Sequence, residues 1–381
     1  MISRRMSRPI NIGGVQIGGG APVVVQSMTK TDTCDVTATV NQIRQLQEFG
    51  CQIVRIAIPD VEAAAALATI KPLTDIPIIA DIHFDYRLAL LAIESGADGL
   101  RLNPGNINDP NHVATVVLAA KERNIPIRIG VNAGSMPKPR YETQTIAERM
   151  VYAAMRYINF FEKLDFDLIK VSLKAFDVID TIEANRMLAQ RVPYPIHLGI
   201  TEAGTPTHGM IRSAVGIGIL LNEGIGDTIR VSLTGDSCDE VIAGYWILKS
   251  LNLSKRGPTL VSCPTCGRAE SDIISLAYAV EGQLAKIDKS ITVAVMGCVV
   301  NGPGEARMAD VGIACGNGRG VIFRQGKQVR TVNEKDFLSA LMEEVDKFKT
   351  AEPVEHSKRG DGSDKGKRRS TGGTKRRKRA D

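Results

Sequence analysis

The sequence predicts a (β/α)8 barrel followed by a C-terminal α+β domain. Two observations carry this. Strand-sized apolar runs and helical segments alternate eight times before residue 249, and the alternation stops at Arg256-Gly257-Pro258. The runs are Val- and Ile-rich, as strands buried on both faces of a parallel sheet must be. Eight such units in succession favour a closed barrel over an open doubly wound sheet. A chain of 381 residues has room for two domains.

Gly13-Gly14 and Gly18-Gly19-Gly20 precede the first barrel strand and predict an N-terminal hairpin. A dinucleotide-binding fold needs its Gly-x-Gly-x-x-Gly turn after an early strand, and that placement is missing. Barrel strands are predicted at residues 23–28, 53–58, 76–83, 99–103, 125–132, 168–174, 195–201 and 228–234. Helices are expected at 36–49, 61–70, 86–95, 111–123, 143–161, 175–190, 208–222 and 236–248. Beyond the break, strands are expected at 260–262, 292–296, 311–314 and 320–323, with helices at 272–286 and 334–347. The domains are therefore 1–256, hairpin and barrel; 257–349, the second domain; and 350–381, a basic tail.

The net charge of +6 divides unevenly. Residues 357–381 hold eleven Lys or Arg and three Asp, contributing +8 and leaving −2 for the remainder. That composition predicts a disordered tail and removes the case for specific nucleic-acid binding by the folded body. There is no N-terminal apolar segment and no bilayer-length run, so a cytoplasmic protein without a membrane partner is expected. Seven cysteines in such a chain do not suggest a disulfide framework. Cys34, Cys51 and Cys238 are dispersed and read as small buried hydrophobes.

Charged residues recur where a barrel strand should be apolar. Arg55, Arg101, Arg128, Lys170, Lys174 and Arg230 all fall in predicted strand runs. Internal ion pairs, with Asp81 and Glu202 as partners, are one reading. The strands hold too few carboxylates to neutralise every cation, so a phosphorylated ligand explains the excess better. Asn103, Asn132 and Ser232 share strand faces with these cations, and Asp81 shares one with His83. His83 is either a proton donor or a hydrogen-bonded barrel histidine. His197 reads as structural.

The second domain carries Cys263-Pro264-Thr265-Cys266 and then Cys298, which enters Val299-Val300-Asn301-Gly302-Pro303-Gly304-Glu305. Three thiols at this spacing fit zinc or an iron–sulfur cluster. The Gly-Pro-Gly segment is expected to form a tight loop around the bound group. Glu305 and Cys315 are equal candidates for a fourth ligand on spacing alone.

These motifs resemble the 4-hydroxy-3-methylbut-2-enyl diphosphate synthase family of isoprenoid biosynthesis. The likeness runs from Arg8 to about Lys349. It rests on Val25-Gln26-Ser27-Met28-Thr29, Ala80-Asp81-Ile82-His83-Phe84-Asp85, Arg101-Leu102-Asn103-Pro104-Gly105-Asn106 and Arg128 to Ser135. Gly199-Ile200-Thr201-Glu202-Ala203-Gly204 and the two cysteine segments complete it. The resemblance implies a [4Fe-4S] cluster on Cys263, Cys266, Cys298 and Glu305, in a domain resembling the sulfite/nitrite reductase module. It implies reductive opening of 2-C-methyl-D-erythritol 2,4-cyclodiphosphate to (E)-4-hydroxy-3-methylbut-2-enyl diphosphate in two one-electron transfers. It further implies Glu202 as the acid, Asp81 and His83 as proton-handling or organising groups, and flavodoxin or ferredoxin as donor. The short bacterial form of the family implies a homodimer.

Overall fold

The computed structural model describes residues 2–348 except 104–105, 108, 137–143 and 299. The basic tail lies outside the described residues, as do Pro104, Gly105 and Val299. The chain divides into two compact units after Arg256.

The first unit opens with strands β1 (Ile10–Ile12) and β2 (Val15–Ile17), paired antiparallel with Ile12 opposite Val15. The two-residue turn places Gly13 and Gly14 at φ +53° and +94°, which glycine adopts without a Cβ penalty. The hairpin buries Ile10, Ile12 and Ile17 against Val24, Ile53 and Ile79, which begin the barrel strands. It plugs the N-terminal end of the ring.

The barrel strands are β3 (Val24–Met28), β4 (Ile53–Ile58), β5 (Ile78–Ile82), β6 (Gly99–Leu102), β7 (Ile127–Asn132), β8 (Ile169–Lys174), β9 (His197–Leu198) and β10 (Thr228–Ile229). All pair parallel, in the order β8-β7-β6-β5-β4-β3-β10-β9. One parallel bridge, Val171 to Ile196, brings the two ends of the order together. The outer ring is α1 (Val36–Glu48), α2 (Val61–Ile70), α3 (Tyr86–Glu94), α4 (Pro110–Glu122), α5 (Ile146–Lys163), α6 (Val178–Ala189), α7 (Pro206–Asn222) and α8 (Ser237–Ser250). Side-chain caps start most of them; Thr145 and Glu148 form a reciprocal capping box on α5. The core lies between strands and helices, with Ile56, Ile78, Leu100, Ile129, Val171 and Leu198 facing the helix layer.

Two predicted strands are shorter than expected. The runs at 195–201 and 228–234 reduce to two-residue ladders. Pro195 donates no N–H, and a Cβ on Gly199 would lie 2.5 Å from the Arg230 carbonyl oxygen, so the backbones there are too close for ordinary strand side chains. Arg230 and Ser232 therefore follow β10 instead of lying within it. Cys34, expected buried, is exposed beside the N-cap of α1; Cys51 and Cys238 are buried as expected.

The second unit is a five-stranded sheet, β11 (Thr259–Ser262), β12 (Thr292–Met296), β13 (Val311–Gly316), β14 (Arg319–Arg324) and β15 (Lys327–Asn333), in sequential order. β11, β12 and β13 run parallel, and β14 and β15 continue antiparallel. α9 (Ile273–Leu284) and α11 (Phe337–Lys347) cover one face. α10 (Gly302–Met308) lies on the other, against Ala294, Met296 and Ala314. The segment expected as a tight loop thus becomes this helix. Pro303 occupies a first-turn position where its missing N–H costs nothing.

Candidate active site

The cations cluster inside the barrel. Arg55 comes from β4, Arg101 from β6, Arg128 from β7 and both Lys170 and Lys174 from β8; Arg230 follows β10. Register sets Asp81, Arg101, Arg128 and Lys170 on adjacent strands as successive pairing partners. The last three are at most 5% exposed. Asp81 is the shared counter-charge of Arg55 and Arg101, at 3.5 Å and 3.2 Å. Burial alone would raise the Asp81 pKa, but Arg55, the His83 hydrogen bond, Arg101 and Arg128 together hold it well below the carboxylate range. His83 is exposed, with Nε2 3.4 Å from Asp81.

These pairings do not reach every cation. Arg128 Nε and Nη2, Arg101 Nε and Lys170 Nζ are buried with no hydrogen-bond partner among the described residues. Burial, then Arg55 and Arg101, push the Arg128 pKa far down. Burial and Arg128 do the same to Lys170 and Lys174. Arginine does not discharge in such a place, so Arg128 stays charged with Nε and Nη2 unmet among the described residues. Two glycines make room for these heads. A Cβ on Gly130 would lie 2.5 Å from Arg101 Nε, and one on Gly199 would lie 2.5 Å from Lys174 Nζ.

Polar groups rim this interior. Asn103 Nδ2 donates to Ser135 Oγ at 2.9 Å, and Ser135 Oγ donates to the Asn132 carbonyl at 3.1 Å. Ser232 is half-buried. Glu202 is exposed on the loop after β9, with φ +52°, a left-handed conformation rare for glutamate. It makes no ion pair among the described residues, so it is not the internal partner expected. That role falls to Glu240 of α8, whose carboxylate lies 3.2 Å from Arg230. A helix position outside the strand runs gave no signal for it. Met28 was also missed; its sulfur receives Arg55 Nε at 3.2 Å and Nη2 at 2.9 Å. His197 is fully buried, with Nε2 3.2 Å from Lys174 Nζ and Nδ1 2.7 Å from Thr228 Oγ1. Burial and Lys174 keep it neutral by driving its pKa well below the ordinary value.

In the second unit the thiols differ in character. The backbone N–H groups of Asn301, Gly302 and Val300 bond the Cys298 sulfur and lower its pKa. Backbone and side-chain bonds from Arg268 do the same for Cys266. Arg268 bonds Cys266 and lies in the field of Cys266, Cys298 and Cys263 together. Cys315 is the opposite case. It is fully buried in the core that α9 and α11 cover, and burial pushes its thiol up to about 12. α10, which carries Glu305 in its first turn, packs on the other face of the sheet. Thiolate-favouring Cys266 and Cys298, with Cys263 nearby, suit a soft metal centre. Among the described residues no three such side chains converge closely enough to hold a single metal ion.

The chain matches the model of the GcpE TIM-barrel domain over residues 7–245 and that of the GcpE protein C-terminal domain over 259–347. A 4-hydroxy-3-methylbut-2-en-1-yl diphosphate synthase (flavodoxin) of Dehalococcoides mccartyi is 62% identical over 345 residues, covering 91% of this chain and 99% of the relative. Those of Geobacter sulfurreducens and Clostridium perfringens are 58% and 51% identical, covering 90% and 91% of this chain and 98% and 99% of theirs. Among solved structures, Yersinia pestis dihydropteroate synthase aligns with a TM-score of 0.50 at 10% identity, over 65% of this chain and 99% of that one; the likeness is one of barrel fold. No helix among the described residues is long and apolar enough to cross a membrane. With both family models matched and relatives this similar over nearly their whole length, the chain belongs to the 4-hydroxy-3-methylbut-2-en-1-yl diphosphate synthase family, oxidoreductases of isoprenoid biosynthesis.

Proposed function

We propose that the barrel, residues 1–256, binds 2-C-methyl-D-erythritol 2,4-cyclodiphosphate and that residues 257–349 deliver electrons to it, yielding (E)-4-hydroxy-3-methylbut-2-enyl diphosphate. The observation that carries this reading is that Arg128 Nε and Nη2 and Lys170 Nζ are buried with no hydrogen-bond partner among the described residues, while Asp81 is engaged by Arg55 and Arg101 and Glu240 by Arg230. A cyclic diphosphate supplies the missing negative charge, and guanidinium forks match its paired oxygens. In this reading Arg55, Arg101, Arg128, Lys170, Lys174 and Arg230 neutralise the diphosphate, and Asn103, Asn132 and Ser232 orient its oxygens. Asp81, kept ionised by its arginines, holds His83 and lets it carry a proton at Nδ1 or Nε2. Glu202 donates the proton with which the departing hydroxyl leaves as water.

The donor set in the second domain fits a [4Fe-4S] cluster held by Cys263, Cys266, Cys298 and Glu305. When bound, such a cluster supplies electrons one at a time. Cys315, a core residue on the opposite sheet face, is left out of the set. The relatives' names point to flavodoxin over ferredoxin as electron donor. A cytoplasmic homodimer is the accompanying proposal. Its support is an exposed apolar stripe on α7, Ile211, Val215 and Ile219, at the spacing of one helix face. A sulfite/nitrite reductase-like fold for the second domain and a disordered tail at 350–381 remain part of the same reading.

Anaerobic purification with iron and sulfide analysis, then turnover of the cyclodiphosphate with a chemical reductant, tests it. About four irons and four sulfides per chain, with dehydrated diphosphate as product, are expected. Zinc without sulfide, and no turnover after anaerobic reconstitution, would sink the proposal.

A further inference from the structure

We propose that Glu240 is a positioning residue of the anion site, holding Arg230 in place and fastening the loop after β10 to the end of β3. The inference rests on Arg230 serving the substrate, as argued above.

The ladder between β3 and β10 is short. It consists of Thr228 opposite Val24 and Ile229 opposite Val25. Beyond Ile229 no further β3 pairing is present among the described residues, yet Arg230 and Ser232 belong to the site. One carboxylate takes over from the missing ladder. Glu240 Oε2 accepts from Ser27 Oγ of β3 at 3.1 Å and from Arg230 Nε at 3.2 Å. Arg230 Nη2 lies 3.3 Å from Oε1 and 3.2 Å from Oε2. Oε1 also accepts from the Leu233 backbone N–H at 3.0 Å and faces Lys30 Nζ at 3.2 Å. Lys30, just past β3, in turn donates to the Leu233 carbonyl at 3.0 Å and to the Gly235 carbonyl.

Arg230, Lys30 and the Leu233 N–H can only donate to Glu240, and two carboxylate oxygens offer them acceptors. Its side chain is fully buried, and it sits in the first turn of α8, where the helix N-terminus favours negative charge. The pairing engages Nε and Nη2 of Arg230 and leaves Nη1 outside it. The guanidinium is thereby fixed in one orientation, and part of its charge is already matched. Arg128 and Lys170 have no such support and carry the uncompensated charge. The site thus contains two kinds of cation, one braced and one free.

A glutamine at 240 would present an N–H₂ to a group of donors and release Arg230. A double-mutant cycle over Glu240→Gln and Arg230→Met tests this, read as KM and kcat for the cyclodiphosphate with a chemical reductant. Losing one charge-assisted contact to substrate predicts a KM about tenfold higher for Glu240→Gln, with kcat within about twofold. Arg230→Met should raise KM similarly, and the double variant should be no worse than Arg230→Met alone. Glu240→Asp, which keeps the charge but withdraws it by one methylene, should fall between wild type and Glu240→Gln. Iron content should be equal in all variants. A wild-type KM in Glu240→Gln with only a lower melting temperature would make Glu240 a fold-holding residue and overturn the proposal. So would a full further loss when Glu240→Gln is added to Arg230→Met. An unchanged KM in Arg230→Met itself would remove Arg230 from the substrate site, and the failure would then lie in the functional reading.

Discussion

Arg128→Met should make the protein more stable and the enzyme nearly inert. Arg128 is 2% exposed, and its Nε and Nη2 have no partner among the described residues. Arg55, Arg101 and Arg230 repel it, and only Asp81 attracts it. Methionine fills a similar space with no charge and adapts its shape. Replacing buried ionic groups by apolar ones of similar volume stabilises proteins by about 1–4 kcal/mol. A gain of about 2 kcal/mol in a unit of this size raises the melting temperature by about 4–8 °C. The substrate contacts move the other way. Two charge-assisted hydrogen bonds at about 1.5–3 kcal/mol each correspond to a loss of roughly 10²- to 10⁴-fold in kcat/KM. Thermal melts of anaerobically purified protein, with and without cyclodiphosphate, read both effects. Wild type should gain stability with ligand; the variant should start higher and gain little. A variant that melts below wild type would show that Arg128 is satisfied in the free protein and would refute the reasoning.

Gly130→Ala places a Cβ 2.5 Å from Arg101 Nε, and the guanidinium must leave both Asp81 and the Gly130 carbonyl. Urea melts should show a loss of about 1–3 kcal/mol, with KM rising alongside. Cys315→Ala should keep its iron and sulfide, whereas Cys298→Ala should lose them; iron loss from Cys315→Ala would return that residue to the ligand set. His197 has a folded pKa far below its unfolded one, so the unfolded chain binds the extra proton first and stability falls as pH drops below about 6.5. Stability should fall between pH 6.5 and pH 5, and His197→Gln should flatten that slope in denaturant titrations.

Most barrel elements were legible because each buried strand needs a continuous Val/Ile run and a helical segment separates each from the next. Where backbone crowding replaced side-chain pattern as the controlling factor, the reading failed. Gly199 and Pro195 shortened β9, and no hydrophobicity count contains that information. Gly302-Pro303-Gly304 reads as a loop by composition, but proline at a first helical turn begins α10. β15 was missed because an edge strand of Lys, Gln, Arg and Thr carries little apolar signal. The cations of the site were visible as charges in apolar runs. Glu240 was not, because one acid in a helix looks like any solvated residue until Arg230 and Lys30 are placed beside it.

The N-terminal arm ties the beginning of the chain to a late part of the barrel. Arg4 and Ser7 bond Asp227, the Arg5 backbone N–H bonds the Gly224 carbonyl, and the Arg5 side chain reaches Val192 and Tyr194. During synthesis, the residues that latch this arm emerge last among its partners. At about 5–20 residues per second, the arm waits roughly 10–45 s for Asp227 to leave the ribosome. Ile10, Ile12 and Ile17 wait less, because Val24, Ile53 and Ile79, against which they pack, are all made by the third barrel strand. The hairpin is thus covered early in translation, while the arm before it stays unlatched until the seventh strand–helix unit is complete.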